Sequence, residues 1–470
     1  MKIAIVGGGV AGASVAIYLR SLGADVTLFE KKQMLIAGPP ACHLHAGGNL
    51  YPDIDDAQRL QLLRESIEFM RFYPQAIERR PTALAVPVHI PLDPKELERR
   101  ALILAHAYGD LVAKDPKAKV LGDPEHYVLS FNHEQLQELQ ELPTPKVPQN
   151  HLEWMISFAK EVDLAKLKYP VLLVQEFGIN IFRLSAIAQL LLQEAPIHYG
   201  TKVVGAKHEG DGFGLTYEKD GQKRQEHFDF LINAMGFESG YLDDWLGYKK
   251  SRLVEFKAAY VASHRQEHLY PEMIFHGIRG TDRGMAQFTP YPGGYYQLHG
   301  MRKDITLFED GVAKSTKDSS QPKLPQKYID WIEHGWPKEV ALHRTQRAIE
   351  YVARYIPSFK EAKPTPTPLY GAQQIPGEDL SLRAAEVSFE GDRYARCEIV
   401  KVSSILSMAD AIVQKLIALE ALDPSLQGRR IYPKPLEETK IDSLAKSIAE
   451  KRGYPAQMAQ LSLPYFVASS

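Results

Sequence analysis

Three glycines and an acid near the start of the chain have the spacing that a phosphate ligand needs. Gly7, Gly9 and Gly12 directly follow the apolar run Lys2–Val6, and Glu30 comes 23 residues after Gly7. The first glycine allows a tight turn, the second lets backbone approach a pyrophosphate, and the third lets a helix pack on a strand. An acidic side chain at that distance can accept hydrogen bonds from ribose hydroxyls. A second grouping lies in FTPYPGGYYQLHGM, where Tyr295, Gln297 and His299 alternate, so a strand there turns all three to one face. A phenol, an amide and an imidazole on one face can orient a polar substrate. An imidazole with a pKa near neutrality can also act as a base.

These residues need elements to hold them. A buried strand over 2–6, an apolar helix to residue 22 and a second strand over 25–29 make a strand–helix–strand unit. Its helix start offers N–H groups and a positive dipole end to phosphates. Residues 33–52 (QMLIAGPPACHLHAGGNLYP) read as a Gly/Pro-rich loop, followed by an amphipathic helix over about 55–72. Residues 81–165 mix strand-like runs (83–90) with polar helical segments such as 133–141, and prolines cluster at 143–148, as in an inserted module. From Tyr169, PVLLVQE, a helix and the strand-like runs IHYGTKVVGAKHE, GFGLTYE and FDFLINAMG return to the nucleotide domain. The last run ends at Gly236, where a small residue lets backbone pass close to a bound dinucleotide. Residues 253–310 alternate in the manner of antiparallel strands with turn signals. A polar linker (315–325), a helix (337–355), a proline-rich connection (363–368), an apolar helix (about 407–419) and a basic, then amphipathic tail (426–470) complete the chain.

A length of 470 residues suggests two or three domains. The net charge of −2 gives no basic surplus for nucleic acid. Two cysteines cannot build a disulfide framework, and the 16 histidines show no metal-site spacing. No apolar run approaches the length of a membrane span, and a strand from residue 2 leaves no room for a signal peptide, so a cytoplasmic location is expected.

The order of these blocks resembles the D-amino-acid-oxidase-like superfamily of flavoenzymes. The resemblance rests on IAIVGGGVAGASVAIYLRSLGADVTLFEK joined to a His/Gly-rich loop, on the NAMG strand end, and on a late loop with an apolar helix. It implies an α/β fold: a Rossmann-like FAD-binding domain of the glutathione-reductase type with an antiparallel-sheet substrate domain. Residues 1–80, 166–250 and 385–425 would build the discontinuous FAD domain, 81–165 and 251–384 the substrate or cap domain, and 426–470 a C-terminal tail.

FAD is the implied cofactor, with Gly7, Gly9, Gly12, Glu30 and Lys31 at its adenine end. His43, His45, Ala46, Gly47, Gly48 and Asn49 match the loop that runs along the flavin ring in relatives. LHAGG also looks like the W-H-A-A-G stretch whose histidine carries flavin covalently in some members, which would make His45 the attachment point, although Leu44 replaces the tryptophan. Val203 and Val204 match the adenine-contacting strand. Residues 398–412 match the closing loop, with Ser403 and Ser404 where glycines are usual, followed by Ile405 and Leu406. In glycine-oxidase-like members an arginine holds the substrate carboxylate. Gln373 stands in its place here, and Arg383 could supply the missing charge.

The resemblance implies oxidation of a small amine, amino acid or 2-hydroxy acid by hydride transfer to flavin N5, with oxygen or a quinone as acceptor. Two other readings stay open. One is a quinone-linked dehydrogenase at a membrane surface, docked through the tail near LPYFV. The other is a flavin-binding module without turnover.

Overall fold

The computed structural model describes residues 1–38, 51 and 54–465. A six-stranded sheet forms around the opening strand. Lys2–Val6 is parallel to Asp25–Phe29 on one side and to Phe230–Asn233 on the other, and the order runs 387–390, 394–397, 230–233, 2–6, 25–29, 197–198. Central strands of such a sheet are covered on both faces, which is why KIAIV and FLIN are nearly continuous apolar runs. The helix Val10–Ser21 is equally apolar. It is buried from Gly12 to Leu19 and packs against the late helix Ile405–Ala418. Residues far apart in the chain therefore meet beside the first turn.

The second large element is a ten-stranded sheet. Its main path runs 312–314, 252–263, 295–300, 286–291, 272–275, 82–87, 167–174, 128–131, and the short strands Lys363–Pro364 and Leu369–Pro376 also pair with Arg252–Ser263. One face packs on the nucleotide half through Leu84, Val86, Ala259, Val261 and Ile274. The other carries Phe275, Phe288, Tyr296 and Leu298 beneath the helices His151–Glu161 and Lys338–Val352. The strand Leu167–Val174 belongs to this sheet, pairing with Thr82–Pro87 and Val128–Phe131. The expected boundary at residue 166 is corrected accordingly: the chain re-enters the nucleotide sheet only at Ile197–His198. A short buried β-branched run looks the same in either sheet, so its composition could not tell them apart.

The inserted module also contains a 21-residue helix, Pro94–Lys114, that its polar sequence hides. Asp93 caps it by accepting the Lys95 N–H, Pro94 opens it, and Leu97, Ala101, Leu104 and Tyr108 form its buried stripe.

The tail is folded onto the body as far as it is described. The helix Glu438–Lys451 buries Ile441, Ala445, Ile448 and Ala449, packing against the helix Ile181–Leu191. Arg183, itself buried, bridges to Glu438 and Asp442 of this tail helix. Asn180 holds the carbonyls of Met458 and Gln460, and Arg452 donates to the Gly38 carbonyl at 2.7 Å. The apolar face of the tail helix is thus spent on intramolecular packing, while Phe466 and Val467 of LPYFV lie outside the described residues. Among the described residues, no helix is long and apolar enough to cross a membrane.

Candidate active site

The first turn is built by backbone contact. Gly7 has φ +103°, and a Cβ there would lie 2.3 Å from the Ala234 carbonyl oxygen, at the end of the return strand. A Cβ on Gly12 would lie 1.9 Å from the Gly7 carbonyl oxygen. Neither position admits a side chain. Gly9 differs: a Cβ there meets no protein atom within 4 Å, and Gly9 caps the helix Val10–Ser21 without any side-chain hydrogen bond to its amides. Two glycines therefore close the turn, and the third keeps open the side from which a phosphate would approach the helix start. This arrangement fits the pyrophosphate of a dinucleotide.

Glu30 is buried and accepts the Gly8 N–H at 2.6 Å and the Lys32 N–H at 2.7 Å, one on each oxygen. Burial raises its pKa, and these two amides with Lys31 and Lys32 oppose the rise. Each oxygen keeps a second lone pair for a ribose hydroxyl. Gly8, which the glycine spacing passes over, is also required: a Cβ there would lie 2.9 Å from Glu30 Oε2. Lys31 pairs with Glu238 at 2.5 Å, on the single helical turn Gly236–Glu238 that follows the return strand. Gly236 has φ +59°, which accounts for glycine at that point.

Val203 and Val204 lie on Lys202–Glu209, the edge strand of a three-stranded sheet. Val203 is a core residue. Val204 falls at a register shift between the pairs Gly205·Thr216 and Val203·Tyr217. A bulge on an edge strand leaves peptide groups that the ladder does not use, as an adenine contact requires. At the other end, Ser403 and Ser404 are buried in a short turn, and the Ser404 hydroxyl donates to Glu65 at 2.6 Å. Ile405 and Leu406 are fully in the core, so only their backbone could serve a ligand. His43, His45, Ala46, Gly47, Gly48 and Asn49 lie outside the described residues.

The substrate side is made of side chains on the inner face of the ten-stranded sheet. Tyr296 and Leu298 point into the outer core, Tyr296 stacking on Phe288 at 4.8 Å, so Tyr295, Gln297 and His299 share the face toward the nucleotide half. Tyr295 packs against the apolar core of that half. The Tyr291 hydroxyl donates to Gln297 Oε1 at 3.3 Å, and Gln297 Nε2 lies 3.0 Å from His299 Nε2. With Gln297 Oε1 accepting, its amide donates to His299 Nε2, which places the ring proton on Nδ1. Burial, with Lys257 adding to it, pushes the His299 pKa down to about 4. Such a shift favours the uncharged imidazole and lies below the near-neutral value expected of a base at this position.

Gln287 sits directly across from His299 and donates to Glu272 at 2.8 Å. Thr289 donates to the same Glu272 oxygen at 3.0 Å, and Arg80 reaches its other oxygen at 3.2 Å. Burial drives Glu272 up to about 7 against the pull of Arg80. The sequence reading missed Glu272, Arg80 and Lys257, because a lone charge in a strand pattern reads as solvent-facing.

Lys257 and Glu255 occupy the same face of the adjoining strand. Lys257 Nζ lies 3.2 Å from Glu255 and donates to Gln373 Oε1 at 2.6 Å, and Arg279 binds the other Glu255 oxygen. Burial lowers the Lys257 pKa against the pull of Glu255. Burial alone would raise Glu255, but Lys257 and Arg279 overcome it and hold its pKa low. Arg383 stands over the Tyr51 ring at 4.9 Å, donates to the carbonyls of Leu380 and Leu382, and is close enough for its charge to act on Lys257 and Glu255. Lys401 approaches the same ring at 4.3 Å. The fold thus brings Gln373, Arg383 and His299 to one cationic end of the inner face. Gln373 is occupied on both sides, since its Nε2 also donates to the Val400 carbonyl at 2.7 Å. Among the described residues, no group of histidine, cysteine and carboxylate side chains could hold a metal ion.

A turn that fits a dinucleotide pyrophosphate, an edge strand with unused peptide groups and a polar sheet face toward the nucleotide half suit a flavoenzyme-type site, and comparison with known proteins agrees. Residues 2–147 match the family model described as FAD dependent oxidoreductase. Over those residues the chain carries the domain of this family of FAD-dependent enzymes. Similar solved structures include L-amino acid deaminase from Proteus vulgaris (12% identity, 94% of this chain and 96% of that chain covered, TM-score 0.60). Glycine oxidase from Geobacillus kaustophilus is another (13%, 93% and 99%, 0.56). A third is L-α-glycerophosphate oxidase from Mycoplasma pneumoniae, with FAD bound (14%, 93% and 99%, 0.56). At these identities the likeness is one of fold, and it spans both the nucleotide half and the substrate sheet. No curated protein matches the chain.

Proposed function

We propose that this protein oxidises a small amine, amino acid or 2-hydroxy acid, with oxygen or a quinone as the final acceptor. FAD, when bound, supplies the hydride-accepting centre. Gly7, Gly9, Gly12 and the helix start would hold its pyrophosphate, Glu30 its ribose, and the edge strand at Val203 and Val204 its adenine. The observation that carries the substrate reading is the charge balance at the end of the inner face. Lys257 and Arg279 both bind Glu255, and Arg383 lies close enough for its charge to act on it, a cluster of cations suited to a substrate carboxylate. Beside it, Gln297 and His299 form a neutral pair whose geometry is fixed by Tyr291, suited to orienting an amine or hydroxyl without charging it.

The similar structures include a glycine oxidase and an L-amino acid deaminase, which act on amino acids, and a glycerophosphate oxidase, which acts on an alcohol. The test is anaerobic bleaching of the flavin by a panel of amino acids, N-methyl amines and 2-hydroxy acids. At least one acid in the panel is expected to reduce the flavin, and readmitted oxygen or an added quinone then identifies the acceptor. A protein that takes up FAD but is bleached by no member of the panel would overturn the substrate reading, and reduction by neutral amines alone would overturn the assignment of the cationic end to a substrate carboxylate.

A further inference from the structure

We infer that Gln373 is a latch between the substrate sheet and the segment 398–404, and that it governs how tightly FAD is held instead of binding substrate. The inference rests on the reading above that 398–404 closes over the cofactor. The strand Leu369–Pro376 pairs along Arg252–Ser263, with Gln373 opposite Glu255 and Gly371 opposite Lys257. Lys257 reaches diagonally to the Gln373 carbonyl oxygen, and the Gln373 amide reaches forward to Val400. Each end of the side chain therefore has one partner, and the two partners belong to different halves of the molecule.

The next residue makes a parallel link. Gln374 points to the opposite face, as strand alternation requires, and its side-chain oxygen accepts from Ser239, beside the return strand of the nucleotide sheet. One strand of the substrate sheet is thus tied to the nucleotide half on both of its faces. Val400 is buried, so without the amide its carbonyl would be an unsatisfied acceptor. Two residues on, the turn Val402–Ser404 begins, and the helix Ile405–Ala418 follows it. Release of Val400 would free the backbone that precedes both. A carboxylate-holding side chain at this position would need donors turned toward the ligand, and Gln373 has its oxygen on Lys257 and one of its two amide N–H groups on Val400.

Three variants separate the roles. Gln373→Met removes both links. Gln373→Glu keeps an acceptor for Lys257 but loses the donor to Val400. Lys257→Met leaves the link to Val400 intact. FAD dissociation is read from the return of flavin fluorescence on dilution without substrate, and hydrogen exchange is read over 398–404. Both Gln373 variants are expected to raise the FAD dissociation constant at least about fivefold, the worth of one hydrogen bond, and to speed exchange over 398–404. Lys257→Met should change either readout by less than about twofold. Wild-type affinity and exchange in Gln373→Glu would overturn the inference, as would a change confined to substrate KM. Should Gln373→Met fail to fold, Gln373→Glu against Lys257→Met makes the same comparison. A wild-type protein that takes up no flavin would refute the proposed function. The exchange measurement would then still decide the latch, with unchanged exchange in Gln373→Glu sinking it.

Discussion

The two ends of the candidate site are made in different ways. The nucleotide end is backbone against backbone: Gly7 against Ala234, Gly12 against Gly7, and Glu30 fixed by the amides of Gly8 and Lys32. The substrate end is side chain against side chain, a row of amide, imidazole, carboxylate and ammonium groups on one sheet face. The backbone contacts at Gly7 and Gly12 leave no room for an added atom. At the second, an exchanged side chain still fits, but the charges around it change. The first end therefore fails by collision and the second by electrostatics, and mutations should separate the two.

Gly12→Ala should give the largest effect. A Cβ 1.9 Å from a carbonyl oxygen forces the helix off the strand, at a cost of about 2–4 kcal/mol, seen as lower thermal stability and loss of flavin together. Gly9→Ala sharpens the contrast, because its Cβ meets no protein atom. The melting temperature should stay near wild type while FAD affinity falls by about 10–100-fold, since only the phosphate's approach is obstructed. Equal loss of stability in both variants would erase the distinction within the turn. At the substrate end, Lys257→Met should lower kcat/KM for an acid substrate by about 10–100-fold with the flavin still bound, as loss of a charged hydrogen bond predicts. Stopped-flow reduction at several substrate concentrations measures it.

The smallest effect concerns pH. Glu386 is held above the ordinary carboxylate range by burial and by Glu65 beside it, and Gln61 donates to both carboxylates. A raised carboxyl pKa means the folded state holds a proton that the unfolded chain has released, so this group's contribution to stability falls as pH rises above about 4.5. Glu272, raised to about 7, acts in the same sense. His299 and His276, both pushed down to about 4 by burial, act oppositely, losing stability as pH falls below about 6.5. Only a difference between variants isolates one group. The melting temperature of Glu386→Gln minus that of wild type should become more positive between pH 5 and pH 8, by about 1–2 °C. A difference that stays flat would mean that the Glu386 carboxyl is not raised in the folded protein.

The same contrast explains what the amino-acid sequence could convey. The nucleotide turn was legible because its requirement is local: a missing Cβ at fixed offsets behind a buried strand. Even so, Gly8 carries no local mark, since its constraint comes from the side chains of Glu30 and Leu35. The alternation of Tyr295, Gln297 and His299 was legible for the same reason, as a strand repeats every two residues. Lys257 and Glu272 were not. In LVEFKAAYVAS and PEMIFHG they are ordinary interruptions of apolar runs, and only the pairing of distant strands puts an arginine beside one and a glutamine beside the other. Gln373 was noticed for its position, but the atoms that occupy it lie 116 and 27 residues away and carry no mark in the sequence.

The tail that wraps the nucleotide half has a consequence for the order in which the protein is made. Arg183 finds its carboxylate partners 255 and 259 positions later, and Gly38 is held by an arginine 414 positions later. The domain whose first strand leaves the ribosome earliest therefore receives its covering helix last. During synthesis, the apolar face of the helix Ile181–Leu191 stays uncovered while the rest of the substrate sheet, from Arg252 to Pro376, is being added, a period in which chaperones and aggregation compete for it. A stop codon anywhere before residue 438 would make that exposure permanent, so loss of the helix Glu438–Lys451 should strike hardest at the nucleotide half, not at the substrate sheet made just before it.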